Sequence, residues 1–154
     1  MKLPVALRRL IYRIGYRVLQ IVWFLSRAHL TGVKCLITDV DALLLVRHSY
    51  GHRSWDLPGG TVRRGEPPVH AARREMAEEL GLGAVDWEPI GELHIEEGRR
   101  RDTLHCFRAE IASPALTLDR GELLEARWFE RAELPADLAR YVIPILARTT
   151  VRRR

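Results

Sequence analysis

The chain has 154 residues, 47% apolar and 29% charged, which suits one soluble domain with a real core and excludes a disordered or fibrous chain. Its net charge of +5 is concentrated at the ends: Lys2, Arg8, Arg9, Arg13, Arg17 and Arg27 fall in residues 1–30 without an acid, so subtracting these six leaves −1 for the rest. That balance argues against a nucleic-acid-binding body, and two distant cysteines, Cys35 and Cys106, exclude a disulfide framework or zinc site and read as reduced core thiols.

Residues 5–25 have the period of a helix. Leu7, Leu10, Ile11, Ile14, Val18, Ile21, Val22 and Leu25 form an apolar stripe, with Arg9, Arg13 and Arg17 every fourth residue beside it and Tyr12, Tyr16 and Trp23 nearby. Arginines interrupt the apolar run and no small-residue cleavage site follows, so a signal peptide is not expected. The charge-free run Val18–Leu25 is far short of the roughly 20 residues that span a bilayer. The expectation is a cytoplasmic protein, with peripheral membrane association open to it. The stripe suits packing on the domain, packing on a second copy in a homodimer, or lying on an anionic membrane surface.

From Thr31 the pattern changes. "GVKCLITD" and "ALLLVRH" read as two strands joined by a hairpin, and "SYGHRSWDLPGG" supplies turns and a double glycine. A helix is expected from Pro67 and Pro68 to Leu80, with Gly81 as its stop and Val69, Ala72, Met76 and Leu80 as its buried stripe. "AVDWEPIGELHI" and "DTLHCFRAEI" read as strands flanking a basic loop "EEGRRR", and "EARWF" as a last strand. "PADLARYVIPILAR" reads as a terminal helix kinked near Pro144. Residues 1–30 are thus expected as a basic amphipathic helix and 31–154 as one α/β (α+β) domain.

The central helix carries Glu75, Glu78 and Glu79 within five residues, on one arc about 100° wide. Carboxylates that close repel one another unless something positive sits among them. The neighbouring arginines 63, 64, 73 and 74 could answer this on a solvated face; a hard divalent cation could also do so. The spacing distinguishes the two. Gly60, then Glu66, then Arg74-Glu75, Met76, Glu78-Glu79, Gly81 and Leu82 resemble the Nudix box at every specified position, and "WDLPGG" and the Glu125–Pro135 segment resemble its usual surroundings.

The resemblance covers roughly residues 31–135 and implies a mixed sheet held between helices. It implies hydrolysis of a phosphoanhydride bond in a nucleoside diphosphate linked to another moiety, with Mg²⁺ or Mn²⁺. By matching positions it makes Glu78 and Glu79 metal ligands, Glu75 a further ligand or the base that activates water, and Arg74 the group orienting them. It also implies a structural or water-mediated role for Glu66 and makes the Gly60 carbonyl a further ligand. Cation bridging of diphosphate oxygens fits this chemistry, because negative charge builds on the leaving group. The site is expected to face solvent, so that Glu79→Gln spares the fold.

Beyond the box, Glu96, Glu97, Glu122 and Glu125 are candidates for one more acid, with Glu125 the best placed by resemblance. Arg47, Arg99 and Arg101 are candidates to grip phosphate, with Arg100 beside them. His48, Tyr50, His52 and Trp55 could meet a base or sugar, Trp55 more readily as core, and Lys34 could face the cleft. Two other readings compete: a nucleotide-binding sensor without turnover, and an adaptor working through the N-terminal helix. A capped nucleic-acid end has little support, since no aromatic-basic platform is present in the body.

Overall fold

The computed structural model describes residues 3–26, 29–97, 100–112 and 114–150, with the side chains of 20, 23–26, 97, 100 and 150 outside the description. Six strands, β1 (His29–Asp39), β2 (Ala42–His48), β3 (Gly59–Thr61), β4 (Glu88–Glu97), β5 (Arg100–Glu110) and β6 (Leu123–Glu130), form one mixed sheet in the order β4-β5-β1-β2-β6, with β3 paired to β1. β1 and β2 form the expected hairpin, turning at Val40 with φ +51°. β1 runs parallel to β5, while β4 and β6 pair antiparallel to their neighbours. The strand period of two divides β2 between both faces of the sheet. Leu44 and Val46 point to the core under α2 (Pro68–Leu80), built with Met76, Leu80 and Trp87. Leu43 and Leu45 point to the opposite core with Trp55, Val142 and Ile145.

α2 begins as expected, with Pro67 as its N-cap, and ends at Gly81 in the left-handed region (φ +73°). Cys35 and Cys106 are buried free thiols. Three expectations are corrected. The supposed basic loop "EEGRRR" is mostly strand, because β4 extends through Glu97 and β5 resumes at Arg100. The double glycine is not only turn: Gly59–Thr61 forms the short strand β3 against Gly32–Lys34. The C-terminal helix α3 starts late, at Val142, so Pro144 lies in its first turn, where a missing N–H costs no helical bond and causes no kink.

The N-terminal helix α1 (Val5–Ser26) is present, but its apolar stripe does not pack on the domain. Leu10, Ile11, Ile14, Val18, Ile21 and Val22 are each at least half exposed. The polar and aromatic side makes the contact instead. Arg8 grips the Asp119 carboxylate, Arg9 donates to the Arg120 carbonyl (3.0 Å), and Tyr12 and Tyr16 pack on the Tyr50 ring at 5.9 and 5.3 Å. Among the described residues no helix is long and apolar enough to cross a membrane.

Candidate active site

The site forms where α2 leans on the two glycines of β3. A side chain at Gly60 would place its Cβ 2.2 Å from the Glu75 carboxyl carbon, so the Glu75 carboxylate rests directly on bare backbone. At Gly59, with φ +155°, a Cβ would fall 2.1 Å from the Val33 carbonyl oxygen. Only glycine permits this approach. The Gly59 N–H in turn donates to Glu79 Oε2 at 3.3 Å.

Glu75 and Glu79 are buried, and only Glu78 of the three is exposed. The expectation of a solvent-facing site is corrected here: on a helix whose core stripe is residues 72, 76 and 80, positions 75 and 79 are drawn in beside it. Glu79 has 0% exposure, and its Oε1 is buried with no hydrogen-bond partner. Burial, then the negative charges of Glu122 and Glu75, push its carboxyl well above the usual carboxylate range against the pull of Lys34. Burial likewise raises Glu75, with Arg74 opposing, and raises Glu122 despite the hydrogen bond it accepts from the Tyr50 hydroxyl (2.9 Å).

Arg74 ties the helix to the loop before it. Its Nε and Nη2 donate to the two oxygens of Glu66, both at 2.9 Å, while Nη2 also donates to the Thr61 carbonyl and Nη1 to Glu75 Oε1 at 2.7 Å. The Arg74 fork, with the Arg63 N–H, holds Glu66 down at about 2. Glu66 therefore anchors Arg74, and Arg74 aims Glu75. Glu78 lies 3.6 Å from Arg74 and 3.8 Å from Arg63 at the surface. The Gly60 carbonyl lies over Gly32 of β1.

The fourth acid is Glu122, at the turn entering β6. One oxygen of Glu122, one of Glu79 and one ring nitrogen of His48 all lie within 4.8 Å of one another. Burial and then Lys34 push His48 down to about 4, so its ring is neutral at pH 7. Glu125 stands elsewhere, on β6 opposite Arg47 and 3.7 Å from Arg127. Arg47 continues the alternation of Leu43 and Leu45 and so faces away from the glutamates; it stacks over Trp55 at 4.4 Å and pairs with Asp137 at 2.7 Å. Trp55 is core, as its bulk suggests. Arg101 pairs with Glu96 at 3.2 Å on the exposed β4–β5 edge. Arg99 and the side chains of Glu97 and Arg100 lie outside the described residues. Lys34 is committed to Asp56 (2.7 Å) and the Leu57 carbonyl (3.0 Å); burial would lower it, and Asp56 outweighs that. His52 is exposed.

A family model for the NUDIX domain matches residues 28–148. The chain belongs to the Nudix family. The match begins three residues earlier and ends thirteen later than the 31–135 resemblance, taking in the start of β1 and nearly all of α3. Among Nudix relatives, an ADP-ribose pyrophosphatase of Mycobacterium tuberculosis is 33% identical over 100 residues, covering 62% of this chain and 48% of the relative. The human 8-oxo-dGDP phosphatase is 32% identical over 107 residues, covering 66% of this chain and 32% of the relative. The chain thus spans about half, or less, of the length of these relatives. The fold is that of the MutT NUDIX hydrolase from Burkholderia pseudomallei (TM-score 0.71, 22% identity, 79% of this chain and 98% of that one). The NUDIX domain of Shewanella oneidensis NrtR, solved with ADP ribose, is also similar (TM-score 0.68, 21% identity, 81% and 88%).

Proposed function

We propose that this Nudix protein hydrolyses a phosphoanhydride bond in a nucleoside diphosphate linked to another moiety, using a divalent cation, Mg²⁺ or Mn²⁺. The observation that carries the reading is Glu79: a fully buried carboxylate with an orphaned oxygen, beside a second half-buried carboxylate, Glu122. Buried charge of one sign is costly unless a counter-charge reaches it. Glu79 and Glu122, with Glu75, Glu78 and the Gly60 carbonyl around them, are the groups that would hold the cation. Bound there, it supplies charge neutralisation on the diphosphate oxygens and lowers the pKa of a water.

Glu75 takes the proton from the attacking water. Burial raises its affinity for a proton above that of an ordinary carboxylate, as a general base requires, and Arg74 and Gly60 fix its direction. The relatives named for ADP-ribose and 8-oxo-dGDP support the substrate class. The test is a panel of nucleoside triphosphates, dinucleoside polyphosphates, nucleotide sugars and ADP-ribose, each with Mg²⁺, Mn²⁺ or EDTA. Glu79→Gln should keep the fold and lose metal-dependent turnover by roughly 100-fold or more. Full activity in that variant rejects the assignment. Calorimetric binding without product, from folded wild-type protein, favours the sensor reading.

Residues 1–30 form a separate functional element in this proposal, with the hydrolase domain following from residue 31. The exposed stripe of α1 faces away from the domain, bordered by exposed Arg13 and Arg17 with no acid between residues 3 and 26. This apolar face with a basic margin fits an anionic lipid surface, whereas a second copy would bring like charges together. Sedimentation with phosphatidylglycerol-containing vesicles, absent with neutral ones and lost in R13E/R17E, is expected. A stable dimer that binds no vesicles overturns it.

A further inference from the structure

We propose that His48 is a nitrogen ligand of the cation held by Glu79 and Glu122, and that it shifts this site's preference from Mg²⁺ toward first-row transition ions. The inference rests on the cation reading above and adds a residue that the Nudix box does not contain. It follows first from strand geometry. Leu44 and Val46 of β2 face α2, and His48, two residues on, continues that side to the end of the strand, where Glu79 and Glu122 meet it.

The local surroundings fit a ligand. Glu79 and His48 each keep a buried atom without a hydrogen-bond partner, Oε1 and Nδ1. The ring packs against Tyr50 (5.3 Å between centroids), whose hydroxyl holds Glu122, so one aromatic side chain positions both neighbours. Three donor atoms within 4.8 Å of one another would draw in to about 3.0–3.6 Å apart to share an ion at bond lengths of about 2.1 Å, a movement that side-chain rotation can supply. Mg²⁺ favours oxygen donors and retains water, whereas imidazole favours transition ions. A carboxylate–carboxylate–imidazole set therefore discriminates differently from carboxylates alone.

The test is electron spin-echo modulation of the 154-residue chain loaded with Mn²⁺, unlabelled and labelled with ¹⁵N-histidine. Modulation from a directly bound ¹⁴N is expected, replaced by the ¹⁵N pattern on labelling and absent in His48→Asn. In the same variant the Mn²⁺ Kd should rise about tenfold or more while the Mg²⁺ Kd moves less. His48→Gln serves if the asparagine variant does not fold, and the labelled wild-type protein needs no variant. Bound Mn²⁺ without histidine coupling, or coupling unchanged in the variant, overturns the role of His48 and leaves the cation site standing. Failure to bind Mn²⁺ at all defeats both.

Discussion

Alanine placed at Gly60 and at Gly59 should damage the protein in two different ways, although the positions are adjacent. At Gly60 the new methyl would sit 2.2 Å from the Glu75 carboxyl carbon, where ordinary contact begins at 3.4 Å, so the carboxylate must retreat by at least 1.2 Å (3.4 less 2.2). The obstacle is the end of a flexible side chain, so the backbone can stay in place. A displacement of about 1 Å in a reacting group costs on the order of 100-fold in rate, and Gly60→Ala should lose about that in kcat with a near-normal melting temperature. At Gly59 the methyl meets the Val33 carbonyl oxygen at 2.1 Å and φ is +155°. Neither can relax without parting β3 from β1, so Gly59→Ala should lose stability, by roughly 1–3 kcal/mol for the backbone conformation alone and more for the clash. Steady-state kinetics and thermal denaturation of the two variants separate these effects. A folded Gly60→Ala enzyme with wild-type kcat would refute the placement of Glu75 as the base, and a fully stable Gly59→Ala would refute the packing of β3 on β1.

Arg74→Lys keeps the charge but loses the fork that holds Glu66, Thr61 and Glu75 together, so kcat should fall tenfold or more with a smaller change in KM; an unchanged rate would show that Arg74 does not aim Glu75. Tyr50→Phe keeps the stacking on Tyr12 and Tyr16 but removes the hydroxyl from Glu122, costing about 1 kcal/mol of stability and severalfold in cation affinity by titration calorimetry. Without divalent cations, Glu79, Glu75 and Glu122 bind protons more tightly folded than unfolded, so stability should fall as pH rises through their folded values, whereas His48, lowered to about 4, adds stability only up to its unfolded value near 6.5. In EDTA the melting temperature should therefore fall as pH rises above the His48 unfolded value and through the raised carboxylate values, and saturating Mg²⁺ should remove that fall; a melting temperature in EDTA that only rises with pH would contradict the buried-carboxylate account.

The helix that carries the site was legible because its signals agree: prolines at its start, a glycine at its stop, and a stripe at 72, 76 and 80. The depth of Glu79 was not, because helical spacing gives the direction of a side chain and not how closely the neighbouring strand approaches; two glycines of β3 decide that. Glu122 and Glu125 are three residues apart and look alike in sequence, yet β6 begins between them, leaving one at the turn and the other out along the strand. Arg47 and His48 look like equal candidates, and the period of two sends them to opposite faces. Residues 43–46 are apolar throughout and buried on both faces, so the sequence carried no alternation to tell the two sides apart. For α1 the stripe was legible and its orientation was not: the tyrosines and arginines on the other side find specific partners, and the leucines and isoleucines are left outside.

The charges around the site bear on why its acids stay buried. Lys34, whose charge pulls against the raised Glu79, is already held by Asp56, and Arg74 spends two of its nitrogens on Glu66, leaving one for Glu75. Neither can neutralise Glu79 and Glu122 without abandoning a partner of its own. A proton can, and so can a divalent cation; the first prevails at low pH and the second when metal is present. Since the loop bearing Glu122 is held by Tyr50 and by Asp119, and α1 grips both, that helix also sets how firmly the fourth carboxylate stands against the third. Weakening that grip, by Arg8→Ala for example, should lower cation affinity without touching any ligand.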